Sequence, residues 1–188
     1  DSLRTLLLKD KEDSNKVNHL NALSWELMYS KPETYIILGK QALVLAEKSE
    51  WKKGVANSFG NLGVYYRLKA DYPKALDYFL KALKINEDML GEAKNPSEKQ
   101  AAQKGIATRL GNLGIIYREQ ADYPKALDYY FKSLKIVEEL KNKNGIADNN
   151  IRIGIVYHSQ GDYHKSLDYY LKGLKIYEEL KSKNGIAI

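Results

Sequence analysis

The sequence predicts an all-α chain built as an α-solenoid of tandem helix hairpins, and three observations carry that prediction. A block of 40 residues recurs along the chain, apolar residues inside each block return at three- and four-residue steps, and a turn signal divides every block in two. The segments KKGVANSFGNLGVYYRLKADYPKALDYFLKALKINEDML, QKGIATRLGNLGIIYREQADYPKALDYYFKSLKIVEELK and KNGIADNNIRIGIVYHSQGDYHKSLDYYLKGLKIYEELK align without a gap. Gly105, Gly145 and Gly185 lie 40 residues apart, whereas Gly54 and Gly105 lie 51 apart, so an 11-residue insertion sits near GEAKNPSEKQA. A degenerate fourth copy comes first: an offset of 91 places Ala42 under Ser133 and Trp51 to Gly54 under Asn142 to Gly145.

The expected organisation follows in order. Residues 1–13 form a short amphipathic helix, DSLRTLLLK, and a polar link that ends in a cap at Asp13 or Ser14. Residues 14–51 are the degenerate repeat, 52–91 a full repeat, 92–102 the insertion, 103–142 and 143–182 full repeats, and 183–188 the opening of a further one. In the insertion, Asn95-Pro96-Ser97-Glu98 is a helix start that lengthens the first helix of the next repeat.

Within a repeat, Leu110, Leu113, Gly114 and Tyr117 mark the buried face of the first helix, echoed by Phe59, Leu62, Gly63 and Tyr66. ADYP, ADYP and GDYH then break the chain, with Pro73 and Pro124 placed for the first turn of the second helix. That helix carries Ala75, Leu76, Phe79, Ala82 and Leu83, repeated as Ala126, Leu127, Tyr130, Ser133 and Leu134. Gly63, Gly114 and Gly154 fall in mid-helix, where glycine costs about 1 kcal/mol against alanine, so close approach of the helices is the expected compensation, with Ala75, Ala126 and Ser166 as small partners on the second helix and Phe79, Tyr130 and Tyr170 as large ones one turn later. Repetition also explains the 15 tyrosines: Tyr72, Tyr123 and Tyr163 are expected in the turns, Tyr78, Tyr129 and Tyr169 in the second helices.

Composition narrows function. The net charge of +6 arises from lysines that alternate with acids, as in KSLKIVEEL, and not from a basic face, so no nucleic-acid partner is expected. No apolar run approaches the roughly 18 to 20 residues of a membrane span. With no cysteine there is neither a thiol nucleophile nor a thiolate metal site. His19, His158 and His164 lack ligand spacing, Ser24, Ser58 and Ser159 lack a partnered base, and each GNLG lies within a helix where it cannot cradle phosphate. No enzyme activity, cofactor or metal is expected.

The pattern of Leu113, Gly114, Tyr117, Ala126, Tyr130 and Ser133 resembles the tetratricopeptide repeat, in its long 40-residue variety, similar to repeats of Pins-like polarity scaffolds, kinesin light chain and bacterial signalling proteins. The resemblance implies a right-handed α-solenoid. Glu87, Glu138 and Glu178 stand where the family usually has proline, which fits a longer second helix.

In an α-solenoid the first helices line the concave face. Their outward side carries Asn61, Val64 and Arg67, then Asn112, Ile115 and Arg118, then Arg152, Ile155 and His158, with Asn21 from the first copy. Asn21, Asn61 and Asn112 share one repeat position, and an asparagine amide both donates to and accepts from a single peptide unit. Asparagines so placed can equally bond across adjacent first helices and stabilise the stack. The resemblance implies a protein or extended peptide in the concave groove, with Asn61 and Asn112 on its main chain and Arg67, Arg118 and Arg152 on acidic groups. Gly60, Gly111 and Ile151 stand where chaperone-type carboxylate clamps have lysine, so a chaperone C-terminus is not the expected ligand.

The expected function is therefore a non-catalytic peptide-binding module, the sensory or scaffolding part of a larger bacterial signalling protein whose output is a histidine kinase, cyclase or transcription regulator. By the same resemblance DSLRTLL opens a mature extracytoplasmic arm. KNGIAI at 183–188 repeats the start of a block and stops, so the chain reads as a fragment whose C-terminal edge can pair with a second copy; dimerisation of the parent protein is the alternative function.

Overall fold

The computed structural model describes Thr5, Lys11 and residues 13–183, and the expectations for the opening helix and for the segment after Lys183 lie outside the described residues. Eight helices and no strand occur among the described residues: α1 (Ser14–Leu27), α2 (Pro32–Lys48), α3 (Lys52–Leu68), α4 (Tyr72–Glu92), α5 (Pro96–Glu119), α6 (Tyr123–Glu139), α7 (Lys143–Ser159) and α8 (Tyr163–Lys183). The fold is an all-α helical repeat. None of these helices is long and apolar enough to cross a membrane.

Local chemistry sets the helix ends. Asp13 caps α1 by accepting from the backbone N–H of Asn15 at 2.8 Å. Asp71, Asp122 and Asp162 accept in the same way from the N–H groups of Lys74, Lys125 and Lys165. Because those aspartates precede the helices, Tyr72, Tyr123 and Tyr163 become the first helical residues and leave the turns where the sequence placed them. Asn95 caps α5, Pro96 occupies its first turn, and the helix runs for 24 residues. In the last three hairpins the residue before the capping aspartate sits in the left-handed region, at φ 56° for Ala70, 59° for Ala121 and 79° for Gly161.

The chain divides into two units, residues 1–94 and 95–188. In the first, α1 to α4 pack in sequence and α1 also meets α3. Part of its core is Val17, Leu20, Ala42, Leu45 and Ala46, with Leu38, Trp51 and Val55 against them. In the second, α5 to α8 pack in sequence, and Ala126, Tyr130, Ile153 and Val156 form a core cluster joining α6 to α7.

Inside three hairpins the glycine of the first helix faces an aromatic ring of the second. A Cβ on Gly63 would lie 2.6 Å from the Phe79 ring, one on Gly114 2.6 Å from Tyr130, and one on Gly154 2.8 Å from Tyr170. The first hairpin packs differently: a Cβ on its Gly39 would lie 3.3 Å from Leu62 of α3. Leu23 stands at the position of Gly63, Gly39 at that of Phe79, and fully buried Tyr35 at that of Ala75. The copy reads as degenerate because these positions carry residues of different size from those in the other three copies.

The tyrosines build a second recurring feature. Tyr66 stacks on Tyr78 (5.4 Å, 9°), Tyr117 on Tyr129 (5.4 Å, 6°) and Tyr157 on Tyr169 (5.6 Å, 20°). Lys74, Lys125 and Lys165 each sit 5.2 Å from the ring centre of the first tyrosine while pairing with the capping aspartate at 2.6 to 2.8 Å. A ring stack, a cation over it and a capped helix start thus form one cassette in three hairpins.

Candidate functional site

The sequence groups Asn21, Asn61 and Asn112 as one ladder; Asn21 and Asn61 belong to the first unit and Asn112 to the second. In the first unit Asn61 Nδ2 donates to Asn21 Oδ1 at 2.8 Å, and Asn21 Nδ2 donates to Ser58 Oγ at 3.2 Å, with all three residues buried. The Tyr35 hydroxyl donates to the Asn61 carbonyl at 2.5 Å, and Ser24 Oγ donates to the Tyr35 carbonyl at 3.1 Å. Burial raises the Tyr35 phenol well above its ordinary value, with Arg67 charge opposing, so the hydroxyl stays a donor. This network is closed. Val64 is buried as well, so Asn21, Asn61 and Val64 do not form the ligand-facing surface the sequence assigned them. Helical periodicity marks the strip facing neighbouring first helices but does not say how tightly those helices close over it.

Several other residues are also engaged. Arg67 is half-buried beside Tyr35. Ile115 packs against the core cluster of the second unit, and Arg118 pairs with Glu119 at 3.7 Å. Ile155 is half-buried on α7, and His158 is exposed with its ring edge-on to Tyr163. Among the described residues no group of three or more His, Asp or Glu side chains could hold a metal ion.

The second unit holds an open groove of about 380 Å³ between α5 and α7, floored by α6. Lys104, Thr108 and Asn112 line it from α5, Ser133 from α6, and Asn149 and Arg152 from α7. Ser133 Oγ donates to the Ala107 carbonyl at 2.9 Å, tying α6 to α5 beneath the floor. Asn142 caps α7 through the N–H of Gly145, which fixes where that wall begins.

Arg152 lies over Gly111: its Nη1 is 2.7 Å from where a side chain on that glycine would start. The missing side chain is what admits the guanidinium to this wall. Neither Arg152 nor Asn112 makes a hydrogen bond or ion pair with the described residues. Asn149 is only 2 % exposed; its Nδ2 donates to the Gly145 carbonyl at 2.8 Å, and its Oδ1 receives no donor from the described residues. Leaving a buried acceptor unfilled costs about 1–3 kcal/mol.

One acid borders the groove. Asp148 accepts from the Tyr177 hydroxyl of α8, and that bond, followed by burial and the Asp148 charge, pushes the tyrosine up to about 12. Lys143 pairs with Glu179 of α8 at 2.6 Å close by, so the outer side of α7 is tethered to α8 and both Asp148 and Glu179 are engaged. Burial also holds Arg109 of α5 below its ordinary value, at about 10, still charged at neutral pH.

Sequence reasoning missed Lys104, Thr108 and Asn149. A signal existed for Asn149: the matching position holds Ser58 and Arg109 in the neighbouring copies, a changing polar residue in a frame that otherwise repeats.

A tetratricopeptide repeat model matches residues 105–179 and a second of the same description matches residues 56–89, together more than half of the chain. No curated protein sequence gives a significant match. Similar crystal structures include aspartyl phosphate phosphatase F from Bacillus subtilis, 18% identical, covering 95% of this chain and 43% of that one, with a TM-score of 0.76. BtubC (BKLC) from P. vanneervenii is 18% identical and covers 95% of this chain and 72% of its own, with a TM-score of 0.73. A signal transduction ATPase with a tetratricopeptide repeat sensor from Pyrococcus horikoshii is 18% identical, covering 98% of this chain and 27% of its own, at a TM-score of 0.73. At these identities the likeness concerns the fold, and the chain spans less than half of the phosphatase and of the ATPase.

Proposed function

The chain belongs to the tetratricopeptide repeat family, whose repeats form protein-interaction modules, and from that premise we propose that it is a non-catalytic module whose α5–α7 groove holds an extended segment of a protein partner. The observation that carries this reading is the pair Asn112 and Arg152, polar groups facing an open groove with no hydrogen bond or ion pair among the described residues. A polar side chain kept uncommitted in a groove of about 380 Å³ is suited to main-chain and side-chain contacts with an incoming peptide.

The test is a selection of random linear peptides against the whole chain, followed by affinity measurement on the enriched sequences. Micromolar binding that Asn112→Ala weakens by about tenfold is the expected result, one lost charge-free contact pair being worth about that much. Failure to enrich any peptide, or binding indifferent to Asn112→Ala, would sink the reading.

We further propose that the module is the sensory or scaffolding region of a larger bacterial signalling protein. Support comes from the descriptions of two similar structures, an aspartyl phosphate phosphatase and a signal transduction ATPase with a repeat sensor. A kinase, cyclase or regulator domain in the same reading frame is the expected finding; a frame without any output domain would count against it.

A second reading, self-association, is favoured by one feature. Leu167, Leu171 and Leu174 form a stripe on α8 and are 55%, 52% and 52% exposed. If this stripe pairs two copies, Leu171→Glu converts a dimer into a monomer in light scattering; a wild-type chain monomeric at high concentration removes the reading.

A further inference from the structure

We infer that a cavity of the first unit takes a lysine side chain presented by a protein partner, its hydrocarbon stem lying on Val55 and Ile85 and its ammonium among Glu47, Glu50 and Asp88. The cavity shares no residue with the α5–α7 groove, and the inference does not depend on the groove reading.

The cavity, of about 450 Å³, opens where the end of α2, the start of α3 and the C-terminal part of α4 meet. Its apolar lining is Val55 and Ile85, both half-buried, and Val55 packs on the core cluster of this unit. The rim sets three carboxylates, Glu47, Glu50 and Asp88, against the single ammonium of Lys52. Glu47 and Glu50 leave one short turn, in which the Glu50 N–H donates to the Glu47 carbonyl at 3.0 Å. Neither of their side chains makes a hydrogen bond or ion pair among the described residues. Asp88 pairs with Lys84 at 3.0 Å, and Lys52 pairs with Glu92 at 2.5 Å. The C-terminal end of α2 adds partial negative charge to the same rim.

The second unit fills the matching place with a lysine of its own. An offset of 91 residues carries Glu50 to Lys141, Lys52 to Lys143, Asp88 to Glu179 and Glu92 to Lys183. There Lys143 pairs with Glu179 at 2.6 Å. In the first unit the acid added at Glu92 takes Lys52 instead, and the turn carries Glu50 where the second unit has a cation. Two exchanges of charge thus leave the rim short of an ammonium. Among the described residues no group of three or more acids or histidines could hold a metal ion, so the carboxylates are too dispersed for one. A lysine side chain suits both parts of the cavity. Its methylenes cover apolar surface while its charged end stays at the wet rim, and its ammonium brings three donors and no acceptor to carboxylates that only accept.

The test titrates the whole chain, with its valine and isoleucine methyl groups isotope-labelled, at constant ionic strength. The probe is N-acetyl-lysine N-methylamide, run beside the norleucine and arginine derivatives of the same form, spermidine and calcium chloride. The lysine derivative is expected to move the Val55 and Ile85 methyl signals saturably in the millimolar range, as suits so small a ligand. The norleucine derivative keeps the stem without the ammonium and is expected to bind about fivefold more weakly or worse. Glu50→Lys installs the residue of the second unit, where Lys141 holds the same backbone angle, φ 52°, so the fold should persist with an unchanged melting temperature. That variant is expected to weaken lysine binding by about tenfold or more, and Glu47→Gln by about threefold. Equal binding of the norleucine derivative, or lysine binding unchanged in a folded Glu50→Lys chain, would overturn the inference. So would tighter binding of the arginine derivative, of spermidine as a free polyamine or of calcium, and so would the lack of any saturable shift at Val55 and Ile85.

Discussion

The ring of Phe79 fills the space that a side chain on Gly63 would need: a Cβ there would lie 2.6 Å from the ring edge. The same contact joins Gly114 to Tyr130. Glycine in a helix costs about 1 kcal/mol against alanine, so the ring contact must return more than that. Gly63→Ala and Gly114→Ala are therefore expected to lower stability by about 1–3 kcal/mol despite better helix propensity, because the buried ring has nowhere to move. Gly91, with nothing within 4 Å of its missing side chain, is the control, and Gly91→Ala should raise stability by up to about 1 kcal/mol. Denaturant unfolding checks both signs, and Gly63→Ala combined with Phe79→Leu should cost less than the sum of the two single changes.

The hairpin turns offer an opposite use of glycine. Ala70 and Ala121 hold φ at 56° and 59°, where a Cβ is strained, and the matching residue of the last hairpin is Gly161 at 79°. Ala70→Gly and Ala121→Gly are expected to leave stability unchanged or raise it by up to about 1 kcal/mol, and Gly161→Ala to lower it by about 1 kcal/mol. Thermal melts of the three variants decide; a loss on Ala121→Gly equal to that on Gly161→Ala would show that the turn is governed by chain entropy instead.

Asn21 and Asn112 show how far the sequence could be read and where it stopped. Repeat length, helix pairing and the close approach of the helices at their glycines follow from spacing, because each copy must bury the same face against the next. The first hairpin escaped that reading since Leu23 stands where the other three have glycine and Gly39 where they have an aromatic ring, which erases the motif. The asparagines were legible as one position but not as two environments. What separates them is the residue opposite: Asn61 for Asn21, Arg152 for Asn112. Asn61→Ala is accordingly expected to destabilise the chain by about 1–3 kcal/mol by leaving Asn21 buried without its donor, and to leave groove binding of peptides untouched. Asn112→Ala is expected to show the reverse pattern, and unfolding curves beside peptide affinities check the pair.

The capping cassette predicts a pH dependence. Hydrogen bonds from Lys74, Lys125 and Lys165 lead the causes that hold Asp71, Asp122 and Asp162 below the ordinary carboxylate value of 3.8. A carboxyl depressed by folding stabilises the protein above its unfolded value, and that contribution is lost as pH falls through the lower, folded value. The three lysines are raised above 10.5 by the same bonds, so their share is present below 10.5 and is lost as pH climbs through their folded values. Replacing all three aspartates by asparagine keeps the caps and removes the charge. The triple variant should melt below the wild type at pH 6 and converge with it at pH 2, and parallel melting curves across that range would refute the assignment.

Gly111 and Arg152 give the last prediction. The position where a Gly111 side chain would begin is 2.7 Å from Arg152 Nη1, the mobile end of a long side chain and not a backbone atom or a packed ring. Unlike Gly63 or Gly114, this glycine is therefore cheap to replace: the guanidinium swings aside, and the helix gains about 1 kcal/mol of propensity. Gly111→Ala is expected to hold or raise the melting temperature while shifting the Arg152 Nε resonance and weakening peptide binding in the groove by about tenfold. Stability and binding then move in opposite directions under a single methyl group. A variant destabilised like Gly114→Ala would mean that Arg152 is locked in place by its surroundings, and full binding in a stable variant would mean that its position over Gly111 is irrelevant to the groove.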